Sequence, residues 1–174
     1  MKAIILVGGE GTRMRPLTLD TPKPLLPIAN IEFIRRQIMW LKKYGVDQVV
    51  LSLCYLPDQF ISNFDANPID GVKISYVVED SPLGTGGAIK YSAGEITGSV
   101  IVCNGDVLTN INLSDLLELH ESKNSMATIA LTKVEDPSAF GVVPTNEFQQ
   151  VIAFVEKPSK ENAPSHWINA GIYV

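Results

Sequence analysis

Arg13, Arg15 and Lys23 follow directly behind a bare backbone in the stretch LVGGEGTRMRPLTLDTPKPLLPI, residues 6–28. Gly8, Gly9 and Gly11 let the main chain come close to an anion with its N–H groups pointing inward, and the cations add full charge, so the combination suits phosphate. Two other places offer charged side chains in compact motifs: Asn104-Gly105-Asp106 and Glu156-Lys157-Pro158. Asp106 is a hard oxygen ligand of the type Mg²⁺ takes together with substrate phosphates. Taken alone, Asn-Gly-Asp is also ordinary turn composition, and a lone Glu-Lys-Pro is an ordinary solvated loop. What decides between these readings is where the elements place them.

Met1 to Val7 is an aliphatic run ending at Gly8-Gly9, which predicts a buried strand that runs into the glycine loop. Phe33, Ile34, Ile38 and Leu41 recur at helical spacing, with Arg35, Arg36, Lys42 and Lys43 elsewhere and Gly45 at the stop. Strands are expected over 47–53 and 72–78, a short helix over 57–64, a second long helix over 84–93, a strand over 99–103, and a helix over 113–120 capped by Asn112 or Ser114. Strands and helices that alternate in this way predict an α/β fold: a Rossmann-like three-layer sandwich with a mostly parallel, mixed central sheet. Past residue 125 the pattern changes to strands over 126–133, 141–144 and 151–155 without long helices. Ile172-Tyr173-Val174 reads as the opening of a strand, which suggests one domain over 1–174 that is truncated at its C-terminal end.

In such sheets ligands bind beyond the carboxyl ends of the strands, and the loop after the first strand is the usual phosphate site. That loop is neither of two common types. A P-loop needs Lys-Ser or Lys-Thr after its last glycine, and here Thr12-Arg13 follows Gly11. A dinucleotide fingerprint needs a third glycine at position 14, which is Met14, and Pro16, Pro22 and Pro24 prevent an immediate helix.

Composition narrows the partners. Fourteen Lys and Arg against nineteen Asp and Glu give a net charge of -5 over 174 residues, which argues against a broad nucleic-acid or anionic-membrane surface. The apolar runs are too short to cross a bilayer, and Cys54 and Cys103 lie in apolar stretches that suggest buried, reduced thiols, so a cytoplasmic home is expected. His120 and His166 lack the neighbours of a metal site and are expected at the surface; Met39 and Trp40 are expected to pack.

The stretch GGEGTRMRPLTLDTPKPLLPI resembles the signature of the sugar nucleotidyltransferases, and PLGTGGA (82–88), Asn104-Gly105-Asp106, Phe140-Gly141-Val142, Glu156-Lys157-Pro158 and Asn169-Ala170-Gly171 follow in that family's order. The resemblance covers the whole chain. It implies that a sugar 1-phosphate oxygen attacks the α-phosphorus of a nucleoside triphosphate and releases pyrophosphate, with Mg²⁺ as cofactor. It further implies that Arg13 and Lys23 are catalytic, that Leu6, Gly8, Gly9, Gly11, Thr12, Arg13, Glu79, Gly84 and Thr85 bind the nucleotide, and that Asp106 holds the metal. Gly141, Glu156, Lys157 and Asn169 would bind the sugar phosphate. Arg15 is as well explained as a solvated loop residue.

Glu79 stands where related enzymes that use thymidine or uridine nucleotides tend to have glutamine. A carboxylate suits the adjacent N1–H and N2–H donors of guanine, and an amide suits thymine or uracil, so guanine is favoured. The segment FVEKPSKENAPSHWINAGIYV is similar to that of mannose-1-phosphate guanylyltransferases. Heptose 1-phosphate guanylyl transfer, glucose 1-phosphate thymidylyl or uridylyl transfer, and a non-catalytic nucleotide-sugar sensor stay open as alternatives, as does self-association.

Overall fold

The computed structural model describes residues 1–94 and 96–174. Strand β1 (Lys2–Leu6) leads into a glycine- and proline-rich loop with short 3₁₀ turns at Thr12–Met14 and Lys23–Leu25. A small hairpin, β2 (Pro27–Ile28) and β3 (Ile31–Glu32), precedes helix α1 (Phe33–Lys43). Then β4 (Gln48–Leu53), α2 (Pro57–Ala66), β5 (Lys73–Val78), α3 (Gly84–Ala93), β6 (Ile101–Asn104) and α4 (Leu113–Ser122) alternate. The remainder is β7 (Ile129–Lys133), β8 (Gly141–Val142), β9 (Val155–Glu156), a 3₁₀ turn at Lys160–Asn162 and β10 (Trp167–Tyr173).

The main sheet runs β5-β4-β1-β6-β10-β8-β9, with β7 also on β10. β5, β4, β1 and β6 are mutually parallel, and β10 enters antiparallel beside β6 through Ile172 opposite Cys103. The sheet is therefore mixed but mostly parallel in the half that carries the glycine loop. Both faces of β1 are covered, since Ala3, Ile4 and Ile5 are all fully buried. On one face Ala3, Ile5, Val49, Leu51, Ile101 and Cys103 join the buried stripe of α1 (Ile34, Ile38, Leu41), Phe60 and Phe64 of α2 and Leu113 of α4. Helix α3 packs on the other face, against β1 and β4. Each aliphatic side chain fully withdrawn from water in this core contributes about 1.5–3 kcal/mol.

Several expectations require correction. The run 151–155 is not a continuous strand: Val151 makes one bridge to Thr145, Ile152 and Phe154 are exposed, and pairing resumes only at Val155–Glu156. Apolar alternation alone could not show that this segment lacks a neighbour to bury against. Ile172 and Tyr173 are the last residues of β10 instead of the opening of a strand, because β10 starts at Trp167. His120 is buried, with Nε2 beside Ser99 Oγ at 3.1 Å and Nδ1 beside Thr128 Oγ1 at 3.0 Å, so two hydroxyls satisfy it where a surface role had been expected. Met39 is exposed, whereas Trp40 packs edge-on against Tyr44 with ring centroids 5.8 Å apart.

The hairpin before α1 was not foreseen, since it turns through Ala29 (φ 48°) and Asn30 (φ 61°) without a glycine. Of the two cap candidates for α4, Asn112 takes the role, its side-chain oxygen accepting from Ser114 N at 3.1 Å.

The end of β6 is held from two sides. Gly105 N donates to Leu6 O at 2.8 Å, and the buried Gln37 of α1 donates through Nε2 to Asn104 O at 2.9 Å. A Cβ at position 105 would collide with Val7 Cγ1 and lie 2.7 Å from Leu6 O. Gly105→Ala is accordingly expected to cost about 1–3 kcal/mol through overpacking, read as a lower urea midpoint at unchanged m-value.

Candidate functional site

Parallel pairing sets the parity of the side chains. Leu6 lies opposite Ser52 and Asn104 in register, and Ser52 opposite Val77, so Leu6, Ser52, Asn104 and, two residues past Val77, Glu79 all face the α3 side of the sheet. Beyond their carboxyl ends opens a cleft of about 700 Å³, within the range of pockets that enclose small organic ligands. Its floor is Leu6, Ser52 and Asn104, one wall is the glycine loop, and the other is the entry to α3.

The glycine loop contributes Gly8, Gly9, Gly11, Thr12, Arg13 and Lys23 to the cleft. Gly11 sits at φ 62°, and a side chain there would press on Lys23 Cβ at 3.0 Å and Thr18 Cγ2 at 3.2 Å. The fully buried Thr18 fastens the loop by donating from Oγ1 to Gly11 O at 2.9 Å. Arg13, in the first 3₁₀ turn, is exposed and has no ion-pair partner among the described residues. Arg15 does not line the cleft; it pairs with Glu10 at 2.9 Å on the surface.

Lys23 and Asp106, 83 residues apart in the chain, meet as an ion pair, Nζ to Oδ2 at 2.7 Å, with both side chains partly exposed. The closeness places the loop's lysine and the carboxylate after β6 at one point of the cleft. Asp106 keeps Oδ1 without a protein partner among the described residues, and these residues contain no cluster of three or more His, Cys, Asp and Glu. A single carboxylate oxygen completed by substrate phosphates and water is a donor set that Mg²⁺ accepts.

Glu79 is buried at the cleft wall with 7 % of its surface exposed. Its Oε1 accepts from Ser52 Oγ at 2.9 Å and its Oε2 from Leu83 N at 3.0 Å, just before α3 begins. Gly84 and Thr85, the first residues of α3, complete that wall.

The four residues expected at the sugar phosphate do not line this cleft. Gly141 and Glu156 face each other in the β8–β9 pair, and a Cβ on Gly141 would come within 3.1 Å of Glu156 Oε2. Lys157, at φ 44°, pairs with Glu156 at 3.2 Å in solvent. Asn169 is held within β10, donating from Nδ2 to Tyr173 Oη at 2.7 Å and accepting Gly171 N on Oδ1 at 2.9 Å.

Sequence reasoning missed the part played by Ser52, Cys54, Pro82 and Ala88, which also line the cleft. The strand parity of Ser52 relative to Leu6 was the only signal that could have found it. Cys54 is half-buried where full burial had been expected, and Cys103 is buried; both are free thiols. Burial, then the carboxylates of Glu79 and Glu10, raise the Cys54 thiol above its ordinary value, and burial pushes Cys103 up to about 12.

The fold and cleft define a class: an α/β domain with a phosphate-type loop at the carboxyl edge of a mostly parallel sheet. The chain matches the nucleotidyl transferase family over residues 2–174 and belongs to it. It is 44% identical over 173 residues to a mannose-1-phosphate guanylyltransferase of Mycobacterium tuberculosis, covering 99% of this chain and 48% of that protein. Against mannose-1-phosphate guanylyltransferase catalytic subunit beta of Dictyostelium discoideum the identity is 42%, over 100% of this chain and 49% of the relative. The chain thus spans about half the length of the curated relatives it matches. The crystal structure of HddC from Yersinia pseudotuberculosis complexed with GMP-PN superposes with a TM-score of 0.83 at 32% identity, over 99% of this chain and 75% of that one.

Because its thiol is raised, Cys54 is protonated at neutral pH, and its alkylation should accelerate as pH rises. Iodoacetamide labelling followed by mass spectrometry should find Cys54 modified and Cys103 untouched in the native protein. A nucleotide in the cleft should protect Cys54, and labelling unaffected by any nucleoside triphosphate would place the ligand elsewhere.

Proposed function

We propose that the protein transfers a nucleotidyl group from GTP to mannose 1-phosphate, forming GDP-mannose and pyrophosphate. The single observation that carries the reading is the convergence of Arg13, Lys23, Asp106 and Glu79 on one cleft behind the glycine loop. Family membership and the names of the relatives support the reaction type and both substrates. In the reaction a bond forms between the sugar phosphate oxygen and the α-phosphorus, the bond to the bridging oxygen breaks, and its electron pair leaves with pyrophosphate.

A phosphoryl-type transfer of this kind leaves little covalent work to the protein, so position and charge dominate. The loop N–H groups and Thr12 hold the triphosphate, and the exposed guanidinium of Arg13 meets charge that grows on the departing pyrophosphate. Lys23 lies deeper, and neutralises the two phosphates that must approach each other. Asp106 would hold Mg²⁺, which when bound supplies charge neutralisation on the phosphate oxygens. Glu79 reads the base: with Ser52 and Leu83 each using one lone pair, its two oxygens keep capacity for N1–H and N2–H of guanine. Gly141, Glu156, Lys157 and Asn169 are assigned to the sugar phosphate by motif alone, Lys157 as the cation and Glu156 and Asn169 toward the hydroxyls. Residues 1–174 are taken as one catalytic unit of a cytoplasmic protein; free thiols and the lack, among the described residues, of any helix long and apolar enough to cross a membrane support that placement.

The test is pyrophosphate release by the intact protein with Mg²⁺, each nucleoside triphosphate in turn, and mannose, glucose or heptose 1-phosphate. Release with GTP and mannose 1-phosphate is expected. Another productive pair would keep the reaction and overturn the substrates, while nucleotide-sugar binding without release would identify a sensor. Arg13→Ala should lower kcat by about 100-fold or more with little change in KM for GTP. Loss of affinity at unchanged kcat would remove Arg13 from the transition state.

A further inference from the structure

Ser52 presents a hydroxyl to the base end of the cleft from inside the sheet. It is 1% exposed, and its one O–H is committed to Glu79 Oε1 at 2.9 Å. The other oxygen of the same carboxylate takes Leu83 N at 3.0 Å. The two donors come from different elements, one from the penultimate residue of β4 and one from the residue that precedes α3, so both oxygens of the carboxylate are held. A glutamate side chain otherwise rotates about its last torsion with little resistance. Clamping fixes the plane in which its remaining lone pairs point.

We propose that Ser52 is a specificity-positioning residue, holding the Glu79 carboxylate in the plane that accepts both N1–H and N2–H of guanine. The inference rests on the reading of Glu79 as the base-recognising group. Its chemistry is preorganisation. A base with two adjacent donors rewards a carboxylate already set in their plane, and a base with one donor gains little from that setting. Without the Ser52 hydroxyl, Oε1 is left at a nearly buried position lacking its partner, and the carboxylate turns to regain one. The side chain pivots on Leu83 N, and the pair of acceptor positions rotates away from the guanine edge. Ser52 thereby acts through Glu79 and need not touch the nucleotide.

The test measures dissociation constants for GTP, ITP and UTP by calorimetry on the intact protein, so it depends on neither turnover nor the identity of the sugar. ITP lacks N2–H, and the GTP-to-ITP ratio of association constants, the reciprocals of the measured values, therefore reports the second hydrogen bond. Ser52→Ala should lower the GTP-to-ITP and GTP-to-UTP ratios by about three- to tenfold, the scale of weakening one charge-assisted hydrogen bond. Glu79→Gln should lower the same ratios at least as much, and adding Ser52→Ala to it should change them no further. Unchanged ratios in Ser52→Ala beside altered ratios in Glu79→Gln would overturn the role of Ser52 and leave the base reading standing. An equal further loss in the double variant would also overturn it, by showing that Ser52 meets the nucleotide directly. Unchanged ratios in Glu79→Gln would remove the base reading and the inference together. A purely structural Ser52 would shift Tm and weaken all three nucleotides alike.

Discussion

Parallel pairing of β1 between β4 and β6 is the constraint on which the rest depends. Once Leu6 lies beside Ser52 and Asn104, the chain must leave all three strands at the same edge of the sheet. The loops that follow are then neighbours, however far apart they stand in the chain. Lys23 and Asp106 meet at 2.7 Å for this reason, and Glu79 arrives on the same face because β5 pairs with β4 in parallel register. Antiparallel pairing would have sent alternate loops to opposite ends.

The edge is made firm by hydrogen bonds and close packing at backbone groups beside the cleft. Asn104 O points toward α1 and receives the amide of Gln37, a buried polar residue in an otherwise apolar stripe. Thr18 fastens Gly11 O, and Gly105 lies against Leu6 and Val7 where no side chain fits. Each of these contacts satisfies a backbone group close to the cleft, and each also limits how far the neighbouring functional side chain can move. Arg13 differs. It stands exposed and unpaired among the described residues, so its charge is available to an anion that enters the cleft.

The cleft and the β8–β9 region are built on unlike foundations. The cleft stands on parallel strands buried on both faces. Gly141, Glu156 and Lys157 stand on two-residue strands, with Phe140, Ile152, Phe154 and Trp167 exposed nearby. In such short pairings few backbone bonds fix the side chains, so geometry there depends on what packs against them.

The sequence alone determined the parallel half of the fold and the phosphate-type loop. Its apolar runs, its helical spacing in α1 and the glycines and cations of residues 8–23 are local signals, and local chemistry is enough to read them. It was also enough to place α3 at Gly84–Ala93, whereas Asp106 and Glu79 were singled out through the family resemblance, and the fold brings both to the cleft. Only the tertiary structure decided that Lys23 pairs with Asp106, that Ser52 and Leu83 clamp Glu79, that Arg15 turns away to Glu10, and that residues 151–154 stay largely unpaired. The physical reason is that these outcomes depend on register and on which polar groups compete for one partner. Both are fixed only when strands distant in the chain are brought side by side.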